Sequence, residues 1–289
     1  MNWRWLFIPI GLVNGCSRIP RKISALFDLT RFSRNFLPTT FVVAASVQPP
    51  INVGGLAAAT AMVSLLTSTS MVVNDIWDID ADLINHPSRP LARGDISKKE
   101  AAGFAAVLSA LYIYLGLNFI PKAAAPIWIL SFVIIHAYTP ILKRIFLIKN
   151  LSCAIVVAAT VPFVALSSGS ALSPYFTHVV FIGSMYKELL MDIMDRRGDE
   201  LSGINTVPVL CGNRSTVGAI YRIMFSSILY FTFINRNYVY IVLGYLPLYY
   251  RLLEVQKNHY QCLYIKRALK TTTYVLGVIG LLSILQHFF

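Results

Sequence analysis

Negative charge is scarce in this chain: 13 Asp and Glu stand against 25 Lys and Arg in 289 residues, and charged residues make up only 13% of the total. Soluble domains carry about 25%, so an ordinary water-soluble fold is excluded. Cysteine is sparse as well. Cys16, Cys153, Cys211 and Cys262 form no CxxC and no Cys/His pair, which leaves a disulfide framework or a zinc site without ligands at workable spacing. No stretch is rich enough in charge, Gly or Ser to be a long linker or a low-complexity tract, and none is a candidate soluble domain.

What the chain has instead is apolar surface. It is 56% hydrophobic with a mean hydropathy of +0.63, the composition of a polytopic membrane protein. At about 20 residues per span, its length leaves room for roughly nine transmembrane helices. Nine apolar segments can be read, near 33–48, 53–75, 100–120, 124–140, 150–168, 174–194, 214–234, 238–255 and 269–287. Turn signals separate several of them, including Gln48-Pro49-Pro50, Ser167-Ser168-Gly169-Ser170 and Gly212-Asn213. The first 27 residues hold no acid, four bases (Arg4, Arg18, Arg21, Lys22) and an apolar run over 5–13 that is too short to span a bilayer. They read equally well as a targeting segment or as a basic, lipid-facing preface to a membrane domain over 28–289.

The bases are distributed unevenly. Arg4, Arg18, Arg21, Lys22, Arg31 and Arg34 precede or begin the first span; Arg89, Arg93, Lys98 and Lys99 follow the second; Lys143, Arg144 and Lys149 follow the fourth. Arg196, Arg197 and Arg214 follow the sixth, and Lys257, Lys266, Arg267 and Lys270 the eighth, whereas the opposite side has Lys122 and Arg236 alone. This is the positive-inside pattern, and it puts the N-terminus and the exits of even-numbered spans on the cytoplasmic side or its organellar equivalent. An organellar or bacterial inner membrane is the expected location. The pattern also accounts for the net charge of +12 without a nucleic-acid partner, since no basic face is interleaved with aromatics.

The few acids are concentrated. The stretch 74–82 holds Asp75, Asp78, Asp80 and Asp82, and 188–200 holds Glu188, Asp192, Asp195, Asp199 and Glu200. Carboxylates beside hydrocarbon are costly and point to function by default. Both stretches repeat Asp-x-x-Asp-x-x-x-Asp, at 75/78/82 and 192/195/199. On a helix these positions share one face, and Asp80 lies off it. Both clusters end even-numbered spans, so both fall on the positive side. Carboxylate oxygens suit magnesium, which binds through a few carboxylates together with substrate phosphates. The surrounding Arg89, Arg93, Lys143, Arg144 and Arg197 can neutralise an anion. Magnesium and bases aimed at a diphosphate stabilise the charge that develops as its carbon–oxygen bond breaks, and an apolar helical cavity accommodates a lipid tail. The expectation is a lipid diphosphate site at the membrane surface.

At these residues the chain resembles the UbiA superfamily of intramembrane prenyltransferases. The first family motif is matched by Asn74, Asp75, Asp78 and Asp82, followed by Asn85-His86-Pro87-Ser88-Arg89-Pro90-Leu91. The second is matched by Lys187-Glu188, Asp192, Asp195 and Gly198-Asp199, then Gly203, Thr206, Pro208 and Gly212. Tyr138 and Lys143 resemble the Tyr and Lys after the family's fourth helix, and Arg31 and Asn35 the basic residue and Asn that begin its first. The resemblance covers about 28–289. It implies an all-α integral membrane fold of nine transmembrane helices around a central cavity, and magnesium-dependent transfer of an isoprenyl group from a polyprenyl diphosphate to an aromatic or other lipophilic acceptor. Carried over, Asn74, Asp75, Asp78 and Asp82 bind one magnesium–diphosphate edge, and Asp192, Asp195 and Asp199 the other, with Glu188 nearby. Arg89 and Lys143 contact phosphate, Asn35 lines the substrate cavity, and Tyr138 steadies the allylic cation or guides the acceptor. The form of the second motif is similar to that of the chlorophyll synthase, homogentisate and geranylgeranylglyceryl phosphate branch, with Arg196-Arg197 and Ala92-Arg93 as departures. A C20 donor is expected.

Blander readings cover the other polar residues. Arg93, Lys98, Lys99, Arg144 and Lys149 follow from topology, and Arg196 reads as a snorkelling interfacial charge. His86 sits in a loop beside the site, and His136 either lines the cavity or makes a local polar contact. Two alternatives to the transferase stand: a terpene cyclase using the same diphosphate apparatus without an acceptor, and a cation transporter. The transporter predicts acids spread through the membrane depth rather than gathered at one side.

Overall fold

A computed structural model of the protein describes residues 21–234 and 239–285. The basic stretch 1–20 and Arg236 lie outside the described residues. Among those described, the secondary structure is helical: α1 (Arg21–Thr30), α2 (Phe32–Ala45), α3 (Val53–Trp77), α4 (Ile79–Asn85), α5 (Lys98–Phe119), α6 (Ala125–Tyr138), α7 (Ile148–Ser168), α8 (Pro174–Leu201), α9 (Val207–Ile234), α10 (Val239–Lys257) and α11 (Cys262–Leu285).

Local chemistry sets many of the boundaries. Asn52 caps α3 by accepting from Gly55 N at 3.0 Å. Ser97 and Glu100 form a reciprocal capping box at the start of α5, which satisfies two otherwise orphaned donors. Ser173 accepts from Phe176 N at the start of α8, where Pro174 has no N–H to leave unpaired. Within α9 the chain breaks at Gly212, whose φ of 81° is a region glycine adopts at little cost.

Among the described residues each expected apolar segment overlaps one of these helices, with 33–48 running past the end of α2 and 124–140 past both ends of α6. The short helices α1 and α4 are additional, and α8 runs on to Leu201, well past the apolar stretch. Among the described residues, four helices are long and apolar enough to cross a membrane: α3, α5, α7 and Val207–Phe233 of α9. In α8 the second acidic cluster occupies the C-terminal half, which dilutes its apolar character.

The helices enclose a cavity. α3 packs on α5 and α7, α7 on α6 and α8, and α8 on α9 and α11, while α2 closes the ring between α3 and α11. On one flank Tyr186, Leu189 and Ile193 of α8 pack with Ile220 of α9, Leu252 of α10 and Ile265 of α11. On the other, Met62 of α3 meets Tyr112, Trp128 and Phe163 from α5, α6 and α7. Large apolar side chains face outward, Leu117 at 73% and Phe233 at 82% exposure. That surface is the one a bilayer covers, since helices satisfy their own backbone groups in hydrocarbon.

Candidate functional site

The first aspartate motif straddles two helices. Asn74 and Asp75 lie in the last turn of α3, Asp78 sits at the junction with φ −97° and ψ 13°, and Asp82 lies on α4. A single continuous helix, as the spacing suggests, is therefore not what forms. The helical repeat nevertheless crosses the junction, through Asp78 N to Asn74 O at 2.9 Å and Asp82 N to Asp78 O at 2.8 Å. All three motif aspartates are buried, while Asp80 is exposed.

A base meets each of these carboxylates. Arg31, at a left-handed position (φ 51°) before α2, donates to Asp75 Oδ1 and, at 3.0 Å, to Met71 Sδ. Arg89 bridges Asp82 Oδ1 and Asp75 Oδ1, the latter at 3.3 Å. Lys143, in the 3-10 turn Leu142–Arg144, reaches Asp78 Oδ2. Asn74 Oδ1 accepts from Thr139 Oγ1 at 3.4 Å.

The second motif lies wholly on α8. Asp192 Oδ1 is 2.5 Å from Lys149 Nζ, and its Oδ2 accepts from Asn150 Nδ2 at 2.8 Å. Lys149 Nζ is also 3.6 Å from Asp199 Oδ2. Asp195 Oδ1 lies 3.2 Å from His86 Nε2, and the Asp195 carbonyl accepts from Asn85 Nδ2 at 3.2 Å. These last contacts seat α4 on α8 and bring the two motifs together. They need Gly198, because a Cβ there would run into the Asn85 side chain.

Both motifs border one cavity of about 340 Å³. Asn35, Asn74, Asp78, Asp82, Arg89, Tyr138, Lys143, Glu188, Asp192, Asp195 and Asp199 all line it. Asp75, at 1% exposure, lies behind the wall. Away from the charged end the lining is mainly apolar, with Phe41, Met62, Leu66, Trp128, Phe163 and Leu276.

The donor set fits a hard cation. Asp75 Oδ2, Asp82 Oδ2 and Asp199 Oδ2 are buried and make no hydrogen bond. An unsatisfied buried acceptor is costly, and a magnesium ion takes such oxygens as ligands. Among the described residues, no three His, Cys, Asp or Glu side chains already close around one point; the carboxylates are turned to their bases. On α4, outside the spans, burial raises the Asp82 carboxyl above its ordinary value against the opposing pull of Arg89.

Several sequence readings change here. Lys149, assigned to topology, is buried at 8% exposure and clamps the second motif with its neighbour Asn150. Its signal was its place in the first turn of an apolar span, where an ionisable residue seeks a partner. His136 is not on the cavity wall; it contacts Ser109 Oγ at 3.1 Å and the Phe132 carbonyl at 2.9 Å. Arg93 pairs with Asp95 at 2.5 Å, and Lys98, Lys99, Arg144 and Arg197 are exposed.

A model of the UbiA prenyltransferase family matches residues 35–262. The chain is 34% identical over 190 residues to a digeranylgeranylglyceryl phosphate synthase of Sulfolobus acidocaldarius, across 63% of this chain and 67% of that protein. A digeranylgeranylglyceryl phosphate synthase of Pyrococcus abyssi is 29% identical over 166 residues, across 56% of this chain and 60% of its own length. The matched stretches thus span about two thirds of the first relative and less of the second. The fold is similar to that of a UbiA homologue from Archaeoglobus fulgidus bound to DMAPP and Mg2+, with a TM-score of 0.68 over 91% of this chain and 98% of that one, at 14% identity.

Proposed function

Because the chain belongs to the UbiA prenyltransferase family, we propose that this multi-pass membrane protein transfers an isoprenyl group from a prenyl diphosphate to a lipophilic acceptor held in its cavity. The observation that carries the reading is the cavity itself. One end gathers two aspartate motifs and the bases Arg31, Arg89, Lys143 and Lys149, and the rest is mainly apolar, with scattered Ser and Thr. That division matches a molecule with a diphosphate head and a hydrocarbon tail. The names of the relatives favour a geranylgeranyl donor and a prenylated glyceryl phosphate acceptor over an aromatic one. The clustering of acids and bases at one end supports a head bound on the side of the membrane that carries the basic loops.

Magnesium, when bound, neutralises the diphosphate and stabilises the charge growing on it as the carbon–oxygen bond breaks. Asn74, Asp78 and Asp82, with Asp75 behind them, would hold it on the first motif, and Asp192, Asp195 and Asp199 on the second, with Glu188 lining the same cavity. Arg89 and Lys143 bind phosphate oxygens and orient the head. Tyr138, which lines the same cavity, steadies the positive charge that develops on the allylic carbon. The apolar wall excludes water from that carbon, and the buried Asn35 amide nitrogen, which has no hydrogen-bond partner, is a donor for the substrate in the same cavity. The acceptor hydroxyl then bonds to it, and the hydroxyl proton passes to the aqueous rim.

The test is product analysis with purified protein, geranylgeranyl diphosphate and magnesium, across prenylglyceryl phosphate and aromatic acceptors. Expected is a prenylated glyceryl phosphate with equimolar diphosphate, formed only with the metal. A cyclic hydrocarbon as main product, formed without acceptor, would replace transfer by cyclisation.

A further inference from the structure

Both oxygens of Asp192 are engaged. Oδ1 is held by the Lys149 ammonium at 2.5 Å, and Oδ2 by the Asn150 amide at 2.8 Å. The same ammonium stands 3.6 Å from Asp199 Oδ2. One buried positive charge therefore stands against both the first and the third carboxylates of the second motif, groups that would serve a divalent ion as ligands. The first motif differs. Arg31, Arg89 and Lys143 reach its aspartates, yet Asp75 and Asp82 each keep one oxygen, Oδ2, without a hydrogen-bond partner. In the second motif Asp199 Oδ2 also has none, but the Lys149 ammonium faces it at 3.6 Å. The first motif offers oxygens to an ion while its bases stay in place.

A divalent ion and an ammonium cannot share the space between Asp192 and Asp199, because like charges repel strongly at such distances away from bulk water. Metal entry at the second motif requires Lys149 to turn away. A buried ammonium that loses its carboxylates needs another anion, or its desolvation goes uncompensated. Lys149 lines the same cavity as Arg89 and Lys143, where the head of a prenyl diphosphate would supply that anion.

We propose that Lys149 is a positioning residue that makes metal binding at the second motif depend on the diphosphate. Without diphosphate it closes the Asp192–Asp199 pair, and the first motif alone takes an ion. With diphosphate the ammonium turns to the phosphate oxygens, and the second motif opens to a second ion. The proposal rests on the reading of the cavity as a magnesium–diphosphate site and adds an order of assembly to it.

The test is titration of Mn2+ into the full chain in detergent, with bound ion counted from the loss of the free-ion EPR signal, in the presence and absence of a non-cleavable geranylgeranyl thiolodiphosphate. The wild-type protein is expected to bind one ion without the analogue and two with it. Lys149→Met keeps the length of the side chain, removes its charge, and is expected to bind the second ion without the analogue, with an affinity gain in the roughly 5–150-fold range of ordinary site coupling. A lysine with a merely structural role gives no gain of metal sites on removal. Two ions in the wild-type protein without the analogue, or one ion in Lys149→Met, overturns the proposal. If Lys149→Met does not fold, the two wild-type titrations decide: a count that the analogue leaves unchanged overturns it. Failure of the functional reading shows separately, as absence of magnesium-dependent diphosphate release from geranylgeranyl diphosphate.

Discussion

Asn85 on α4 donates its side-chain amide to the main-chain carbonyl of Asp195 on α8, across 3.2 Å. It occupies space that exists because residue 198, one turn on, is glycine. This contact joins the two halves of the site. Gly198→Ala is expected to lever α4 off α8 and lower turnover by about 10-fold to 100-fold, the size of effect a displacement near 1 Å produces. Combining it with Asn85→Ala relieves the clash and should recover part of the loss. Steady-state kinetics on the two single variants and the double variant check this, and equal activity of Gly198→Ala and wild type would show that the spacing of the motifs tolerates change.

Asp75 and Asp192 should respond differently from solvated helix-end charges. Asp75, itself buried, meets both Arg31 and Arg89, whose side chains are part-exposed. Asp75→Ala removes the carboxylate that Arg31 and Arg89 share, while Arg89 keeps Asp82. With both arginines part-exposed, the expected cost in stability is below the roughly 3–5 kcal/mol of a fully buried pair, in addition to abolishing turnover. Asp75→Asn keeps the shape and should separate the two effects. Thermal unfolding in detergent beside a diphosphate-release assay reads them; full activity in Asp75→Asn would remove this residue from the metal-binding set.

Lys143→Ala removes a cavity-lining cation that contacts Asp78. Loss of a charge-assisted hydrogen bond is worth about 1.5–3 kcal/mol, so KM for the prenyl diphosphate should rise roughly 10-fold to 100-fold. A change in melting temperature with KM unaltered would mean that the lysine only neutralises Asp78.

The Asp82 carboxyl predicts the direction of a pH effect. Burial raises it above its ordinary 3.8, so in the folded protein it keeps its proton to higher pH than an unperturbed aspartate. Metal binding must expel that proton. Apparent Mg2+ affinity should therefore climb as pH rises from about that ordinary value through the raised one, and level off above it. Asp82→Asn cannot titrate, so it should flatten this rise as well as weaken binding. Calorimetric Mg2+ titrations at a series of pH values provide the measurement, and a profile unchanged by the substitution would exclude Asp82 as the titrating ligand.

The sequence by itself determined the membrane class, the approximate helical segments, the two aspartate triads and their common side. Those properties follow from composition and from local periodicity, and a run of apolar residues or an i, i+3, i+7 spacing is legible without knowing what packs against it. Asn35, Arg89, Tyr138 and Lys143 were legible through their place in recognisable motifs. The tertiary structure decided which charge meets which. Lys149 looked like another cytoplasmic-side base because topology explains any lysine after an even-numbered span; only the packing of α7 on α8 sets its ammonium between Asp192 and Asp199. The break at Asp78, the removal of His136 from the cavity wall and the Gly198 recess for Asn85 are likewise consequences of contact between segments distant in sequence. Electrostatic pairing in a buried site depends on distances of a few ångströms, and a linear pattern carries no such distances.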